Sequence, residues 1–303
     1  MDIEKKYIKR FPPDKSSICA VIVTYDPDKD MCKRITRVLA QVDRAIIVDN
    51  GSNEIFLKAM RDIEAHVIAN AKNVGIGRAL NQGVGSAIDY GYRWVLLLDD
   101  DSVPDSSMLE EMIAVYNDYF AKEKIGIIGA NPIDSYTEKV AYEFNSNSWI
   151  EKEVVISSGS LIPIEVYKKV GPFKEEYFMD CIDQEYCLRL RSKGYRIIIA
   201  CRAKMKHSLG QAVVHKFLSK TVIQTNHSYL RYYYIMRNSF LMLKEYFFKE
   251  PKWLSLHFVS LFKMIIKMLL FEDDKLKKIK SSIVGIWQGL FNYRISTEFR
   301  RIS

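Results

Sequence analysis

Residues 94–104, Trp-Val-Leu-Leu-Leu-Asp-Asp-Asp-Ser-Val-Pro, constrain this chain more than any other stretch. Five apolar residues read as a buried strand, and three carboxylates follow where that strand must surface. Side chains two apart in an extended chain share a face, so Asp99 and Asp101 can address one target while Asp100 points away. Carboxylates held this close repel each other unless a cation joins them, and oxygen donors of this kind suit Mg²⁺ or Mn²⁺. Such a cation would neutralise the diphosphate of a bound nucleotide. The competing reading is a solvated acidic turn at the end of a strand.

The surroundings of this stretch define a fold class. Short β-branched runs at 18–24, 45–49, 67–69, 94–98 and 125–130 alternate with helical patterns near 30–41, 53–63, 77–90 and 106–120. This alternation predicts an α/β domain, a mostly parallel sheet flanked by helices, with ligands bound beyond the carboxyl ends of the strands. Thr24, Asp49 and Asp99 each close a predicted strand, so three separate motifs are expected at one crevice. A second block, 154–200, should hold a strand-like run ending in Ser157-Ser-Gly-Ser160. A helix opening at Ile164 and another near 183–193 should follow. From about Leu209 the pattern reads as helical and strongly aromatic.

A chain of 303 residues suits one large α/β domain with an appendage. The net charge of +8 is unevenly spread: residues 1–201 carry 26 Lys/Arg against 31 Asp/Glu, and residues 202–303 carry 19 against 6. A basic surface of this kind seeks phosphates or anionic lipid. A catalytic domain is therefore expected over residues 1–205 and a basic, aromatic, mainly helical region over 206–303. The five cysteines show no metal-ligand spacing, and the N-terminus has no apolar h-region; both suit a reducing, cytoplasmic setting.

Several motifs can carry chemistry. Thr24-Tyr25-Asp26-Pro27 offers a hydroxyl and a ring for holding a base, or plain turn chemistry. Asp49, before Asn50-Gly51-Ser52, can accept the imide N–H of a uracil or thymine. Asn73-Val-Gly75-Ile-Gly77-Arg78 is a glycine-bearing loop entering a helix, with Arg78 and Asn81 within reach of a nucleotide or simply solvated. Asp183 falls at a helix start, where it can cap the helix or serve as a general base. Glu185 and Arg189, four apart, read as a structural pair. His207 is a metal or phosphate ligand, or structural.

In order and spacing, Thr24-Tyr25, Asp49-Asn50-Gly51-Ser52, Asn73-Val-Gly75, Asp99-Asp100-Asp101, Ser158-Gly159-Ser160, Ile182-Asp183-Gln184-Glu185 and His207 resemble a family 2 glycosyltransferase over about residues 17–210. Leu98-Asp-Asp-Asp-Ser and Arg231-Tyr-Tyr-Tyr-Ile-Met-Arg237-Asn238 are most similar to bacterial rhamnosyltransferases of cell-surface polysaccharide assembly. The resemblance implies a GT-A fold, inversion at the anomeric carbon, and dTDP-L-rhamnose as donor. It implies that Thr24, Tyr25 and Asp49 hold the nucleobase and that Asp99 contacts the nucleoside, with Asn73, Arg78 and Asp100 also on the nucleotide. Asp101 and His207 would ligate Mg²⁺ or Mn²⁺, and Asp183 would be the base. Gly159, Ser160, Glu185 and Arg237 are assigned to acceptor or sugar. Many relatives carry an acid where this chain has Ile182, which leaves Asp183 alone in that role.

Residues 253–271 are apolar enough to suggest a span, but Ser260, Lys263 and Lys267 draw a polar stripe at helical spacing. A helix lying in the membrane interface fits better, with the basic run 275–280 on anionic headgroups. The expected partners are a nucleotide-sugar donor, a glycan or lipid-linked glycan acceptor, a peripheral contact with the inner face of the membrane, and a second copy of the chain; nucleic acid is not expected. Another UDP- or dTDP-sugar is the alternative donor. A sugar nucleotidyltransferase is the more distant alternative, and Thr24-Tyr25-Asp26-Pro27 lacks the Gly-, Arg- and Lys-bearing loop that class needs.

Overall fold

The computed structural model describes residues 11–53, 56, 58, 60, 65–134, 138–144, 147–207, 213–217, 220–224 and 226–291. The chain forms two compact units, Met1–Glu175 with Tyr186–Ser208, and Glu176–Glu185 with Leu209–Ser303.

The first unit is built on a nine-stranded sheet ordered β3-β2-β1-β4-β8-β6-β9-β5, with β7 paired to β9. Its strands are β1 (Ile18–Thr24), β2 (Arg44–Asp49), β3 (His66–Ala69), β4 (Trp94–Asp99), β5 (Val103–Pro104), β6 (Ile125–Asp134), β7 (Trp149–Lys152), β8 (Ser160–Pro163) and β9 (Arg196–His207). The run β3-β2-β1-β4 is wholly parallel. β8 runs against both β4 and β6, while β6 and β9 are parallel to each other. Strands β1 and β4 are apolar at every position but the last because both faces are covered. Ile18, Ala20 and Ile22 join one core cluster with Ile35, Met112 and Tyr116, and Cys19 and Val21 on the opposite face are equally inaccessible. Each such buried isoleucine or valine contributes about 1.5–3 kcal/mol.

Helices α1 (Met31–Leu39), α2 (Ile76–Asp89), α3 (Met108–Asp118) and α4 (Ile164–Val170) flank this sheet. Helix α1 buries Met31, Ile35 and Val38, and α2 buries Ala79, Leu80, Gly83, Val84 and Ala87, each a stripe at helical spacing. Most of the helix expected over 53–63 lies outside the described residues. The strand-like run expected to end at Ser160 instead gives a strand that begins there.

The first residues of α5 (Ile182–Ser192) go with the second unit, which also holds a hairpin, β10 (Val213–Phe217) and β11 (Lys220–Gln224), and helices α6 (Tyr229–Tyr246), α7 (Pro251–Phe271) and α8 (Lys275–Phe291). The hairpin corrects the expectation of helix from Leu209 onward: Val213, Val214, Val222 and Ile223 favour paired strands over helix. Helix α6 starts at Ser228, whose side chain accepts from the Arg231 N–H. Helix α8 packs on α6 backbone to backbone. A Cβ at Gly285 would collide with the Tyr233 carbonyl, and one at Gly289 with that of Arg237. Beside this contact, buried Lys278 donates to Glu272 Oε2 at 2.6 Å and to Asn226 Oδ1 at 2.8 Å, and Glu272 Oε1 accepts from Tyr232 Oη at 2.7 Å.

Candidate active site

Parallel pairing aligns the ends of β1, β2 and β4. Thr24 sits opposite Asp49, and Val23 opposite Asp99, so the sheet brings three sequence-distant motifs to one edge. Asp49 is fully buried and accepts four hydrogen bonds. Oδ1 takes Thr24 Oγ1 at 2.9 Å and Ser52 Oγ at 2.5 Å; Oδ2 takes the Gly51 and Ser52 N–H groups at 3.1 and 2.9 Å. These fill a carboxylate's acceptor positions, so an imide N–H would have to displace one of them. The Tyr25 ring is exposed and free to stack.

The neighbouring loop is knitted by amides. Asn50 Oδ1 accepts from Val74 N, and Asn73 Oδ1 accepts from Asn50 Nδ2 and Gly75 N at the start of α2. Arg78 is exposed, with its guanidinium 4.0 Å from Glu175. Asn81 faces elsewhere: it bonds Tyr167 Oη, Phe173 N, Phe173 O and Glu175. It therefore pins the segment after α4.

Beyond β4 the three carboxylates diverge as the pleat requires. Asp100 turns to the Tyr25 N–H at 3.1 Å, and burial pushes its carboxyl up to about 6. Asp99 and Asp101 turn to His207 at the end of β9, and one ligand atom from each of the three lies within 4.8 Å of the others. His207 Nδ1 is 3.4 Å from Asp101 Oδ1. Burial by itself would lower the His207 pKa; the bond to Asp101 and the charges of Asp101 and Asp99 outweigh it and raise the value. Among the described residues, buried Asp101 Oδ1 has the His207 ion pair at 3.4 Å and no well-formed hydrogen bond. A buried carboxylate oxygen short of hydrogen bonds, beside a second carboxylate and an imidazole, suits a divalent cation, so the donor set fits Mg²⁺ or Mn²⁺. Asp99, which the resemblance gives to the nucleoside and the strand period pairs with Asp101, lies in this candidate cluster.

Two serines complete this edge, and neither was singled out by itself in the sequence. Ser158 Oγ accepts the Asp99 N–H at 3.0 Å and lies 2.7 Å from Ser102 Oγ, which in turn is 3.1 Å from His207 Nδ1. Gly159 has φ +75, and its backbone bridges Leu97 and Ala130; a Cβ there would lie 2.9 Å from Ala130 Cβ. Ser160 Oγ donates to Ile156 O at 2.7 Å. Both therefore brace the sheet behind Asp99.

Asp183, Glu185 and Arg237 are in the second unit. Asp183 opens α5; burial pushes its carboxyl up to about 6, with Asp180 adding to the rise and the Gln184 N–H and Arg231 opposing it. Glu185 is fully buried and accepts from Tyr246 Oη at 2.8 Å. Arg189 donates to the carbonyls of Val170 and Pro172, and Arg237 to the carbonyl of Glu176 and to Asn238 Oδ1. The segment before Asp183 is strained. Phe178, Asp180 and Cys181 take φ of 57, 57 and 62, a left-handed backbone that costs an L residue about 1–2 kcal/mol.

A mostly parallel sheet that brings acids and a histidine to one edge fits a GT-A domain. The model of glycosyl transferase family 2 matches residues 19–168. The dTDP-rhamnosyl transferase RfbF of Shigella flexneri is 31% identical over 295 residues, 91% of this chain and 96% of that protein. S. aureus TarS 1–349 in complex with UDP-GlcNAc aligns at TM-score 0.57 and 15% identity, covering 90% of this chain and 81% of that one. In a longer TarS structure this chain spans 44% of the length. GalNAc-T7 with UDP, GalNAc and Mn²⁺ aligns at TM-score 0.59 and 10% identity, covering 94% and 58%. The solved structures speak for the fold, and the RfbF likeness for the family. The chain belongs to glycosyl transferase family 2 and is a glycosyltransferase.

Proposed function

We propose that this enzyme transfers L-rhamnose from dTDP-L-rhamnose to a hydroxyl of a glycan acceptor, inverting the anomeric carbon. The observation that carries the reading is the 31% identity to a dTDP-rhamnosyl transferase across 91% of the chain. In this reading Tyr25 stacks on the thymine, Thr24 and Asp49 shape the turn that meets it, and Asn73, Arg78 and Asp100 serve the nucleotide. Asp99, Asp101 and His207 would hold Mg²⁺ or Mn²⁺, which when bound offsets the charge that grows on the diphosphate as the sugar leaves. The acceptor hydroxyl must lose its proton as the new C–O bond forms, and Asp183 takes it. A carboxyl at about 6 is ionised at neutral pH and more basic than an exposed one. A single displacement from the face opposite the leaving diphosphate inverts configuration.

The test is release of nucleoside diphosphate from dTDP-L-rhamnose, UDP-glucose and UDP-GlcNAc with Mn²⁺, each with and without rhamnan or lipid-linked oligosaccharide. The reading requires the dTDP-sugar to be preferred at least about 100-fold in kcat/KM. Preference for a UDP-sugar overturns the donor assignment and leaves the family standing.

The acceptor side favours a lipid surface. Helix α7 buries Leu254, Leu261 and Met268 and exposes Leu256, Val259, Phe262, Ile266 and Leu269 beside Lys263 and Lys267. Neither α7 nor α8 contains an acidic residue, while together they carry seven lysines. By length and composition α7 is long and apolar enough to cross a membrane. Lysines flanking an exposed apolar arc match an interfacial helix on anionic lipid, and the same lysines repel a second copy meeting this face.

A further inference from the structure

One buried cluster takes no part in the chemistry described so far. Helix α6 grips residues 176–185 with one side chain after another. Asn238, fully buried, donates its carboxamide N–H groups to the carbonyls of Tyr177, Met179 and Asp180 at 2.8, 2.8 and 3.0 Å. Its Oδ1 accepts from Arg237 Nη1 at 2.9 Å, which fixes the amide's orientation. Arg231 forks onto Asp180, with Nε 3.1 Å from both carboxylate oxygens and Nη2 3.0 Å from Oδ1. The gripped stretch includes the three left-handed residues, and the carbonyl of the last, Cys181, accepts the Glu185 N–H in the first turn of α5. The bend therefore runs directly into the turn that carries Asp183.

A left-handed run without glycine persists only where its surroundings over-determine it. Three carbonyls converging on one buried amide supply that constraint, and only a donor-rich, uncharged side chain fits. A carboxylate would face three carbonyl oxygens, and an aliphatic side chain would leave them bare.

We propose that Asn238, assisted by Arg231, is a positioning residue of the transfer reaction: it holds residues 177–181 in their left-handed bend and so sets the direction of the Asp183 carboxylate. The inference rests on Asp183 being the base. A displaced base loses rate without losing donor affinity, which separates positioning from a donor-binding role.

Asn238→Ala, Arg231→Gln and Asn238→Ala with Cys181→Gly are compared with Asp183→Asn in the full chain. The readouts are kcat with dTDP-L-rhamnose and acceptor, and dTDP affinity by calorimetry with Mn²⁺. Asn238→Ala is expected to lower kcat about 100-fold and Arg231→Gln about 10-fold, with the dTDP dissociation constant within about threefold of wild type. Glycine at 181 takes a left-handed φ without strain, so the double variant should regain about 10-fold of the loss. Arg231 is partly exposed, so its variant folds even if Asn238→Ala does not. Arg231→Gln with kcat within about twofold of wild type overturns the inference, as does dTDP affinity falling in step with kcat. If Asp183→Asn keeps wild-type turnover, the base reading fails instead. If that variant is inactive while the others turn over normally, the base stands and the positioning role falls.

Discussion

Replacing Asp183 by Asn should remove activity and stabilise the fold, and the two effects have one cause. In the folded protein burial raises this carboxyl from 3.8 to about 6. A raised carboxyl contributes stability below its unfolded pKa, and that contribution is lost as pH climbs through its folded pKa. A rise of this size corresponds to about 3 kcal/mol, and partial exposure of the side chain reduces it to about 1–3 kcal/mol. Asparagine cannot ionise, and its carbonyl oxygen can keep the 2.9 Å bond that Oδ1 accepts from Gln184 N. Urea unfolding should therefore show equal stability at pH 3 and a variant more stable by about 1–3 kcal/mol at pH 8. Turnover of the wild type should fall about tenfold from pH 7 to pH 5 as the ionised fraction drops, and the variant should lose several orders of magnitude. Equal stability at pH 8 refutes the burial argument. Turnover within tenfold of wild type refutes the base.

Thermal-shift titration with Mn²⁺ should stabilise the wild type and fail with Asp101→Ala or His207→Ala, and excess EDTA should abolish transfer; full activity in EDTA removes the metal from the site. Asp49→Asn replaces one carboxylate oxygen by an NH₂ that faces two donors, so unfolding in urea should show a loss of about 2–5 kcal/mol; a change under 1 kcal/mol contradicts the bonding given above. Flotation should recover the protein with phosphatidylglycerol vesicles and not with phosphatidylcholine ones, and Lys263→Glu with Lys267→Glu should weaken recovery about tenfold or more. Equal recovery on both lipids, or a stable dimer in solution, removes the lipid surface.

The parts of the site legible from sequence are those written by short-range rules. Apolar runs in β1, β2 and β4 predicted strands whose last residues are Thr24, Asp49 and Asp99, and the two-residue period of an extended chain separated Asp99 and Asp101 from Asp100. What failed was long-range or carried no local mark. Ser158 reaches Asp99 across 59 residues of sequence, and Ser102 reaches His207 across 105. Left-handed backbone at Phe178, Asp180 and Cys181 is invisible in residues that normally avoid it, since its cause, Asn238, lies far along the chain. The hairpin at β10 and β11 was lost to the aromatic, helical pattern that follows it.

The meeting of α6 and α8 at Gly285 and Gly289 reaches further than packing. With no side chain on α8 at these two positions, the helices have a single seating depth there, and the carbonyls that a Cβ would strike belong to Tyr233 and Arg237, the latter adjacent to Asn238. Helix α8 thus acts as a backstop for the stretch of α6 that grips residues 177–181. A bulky replacement there would be felt at Asn238 and the bend it holds while leaving Asp99, Asp101 and His207 untouched.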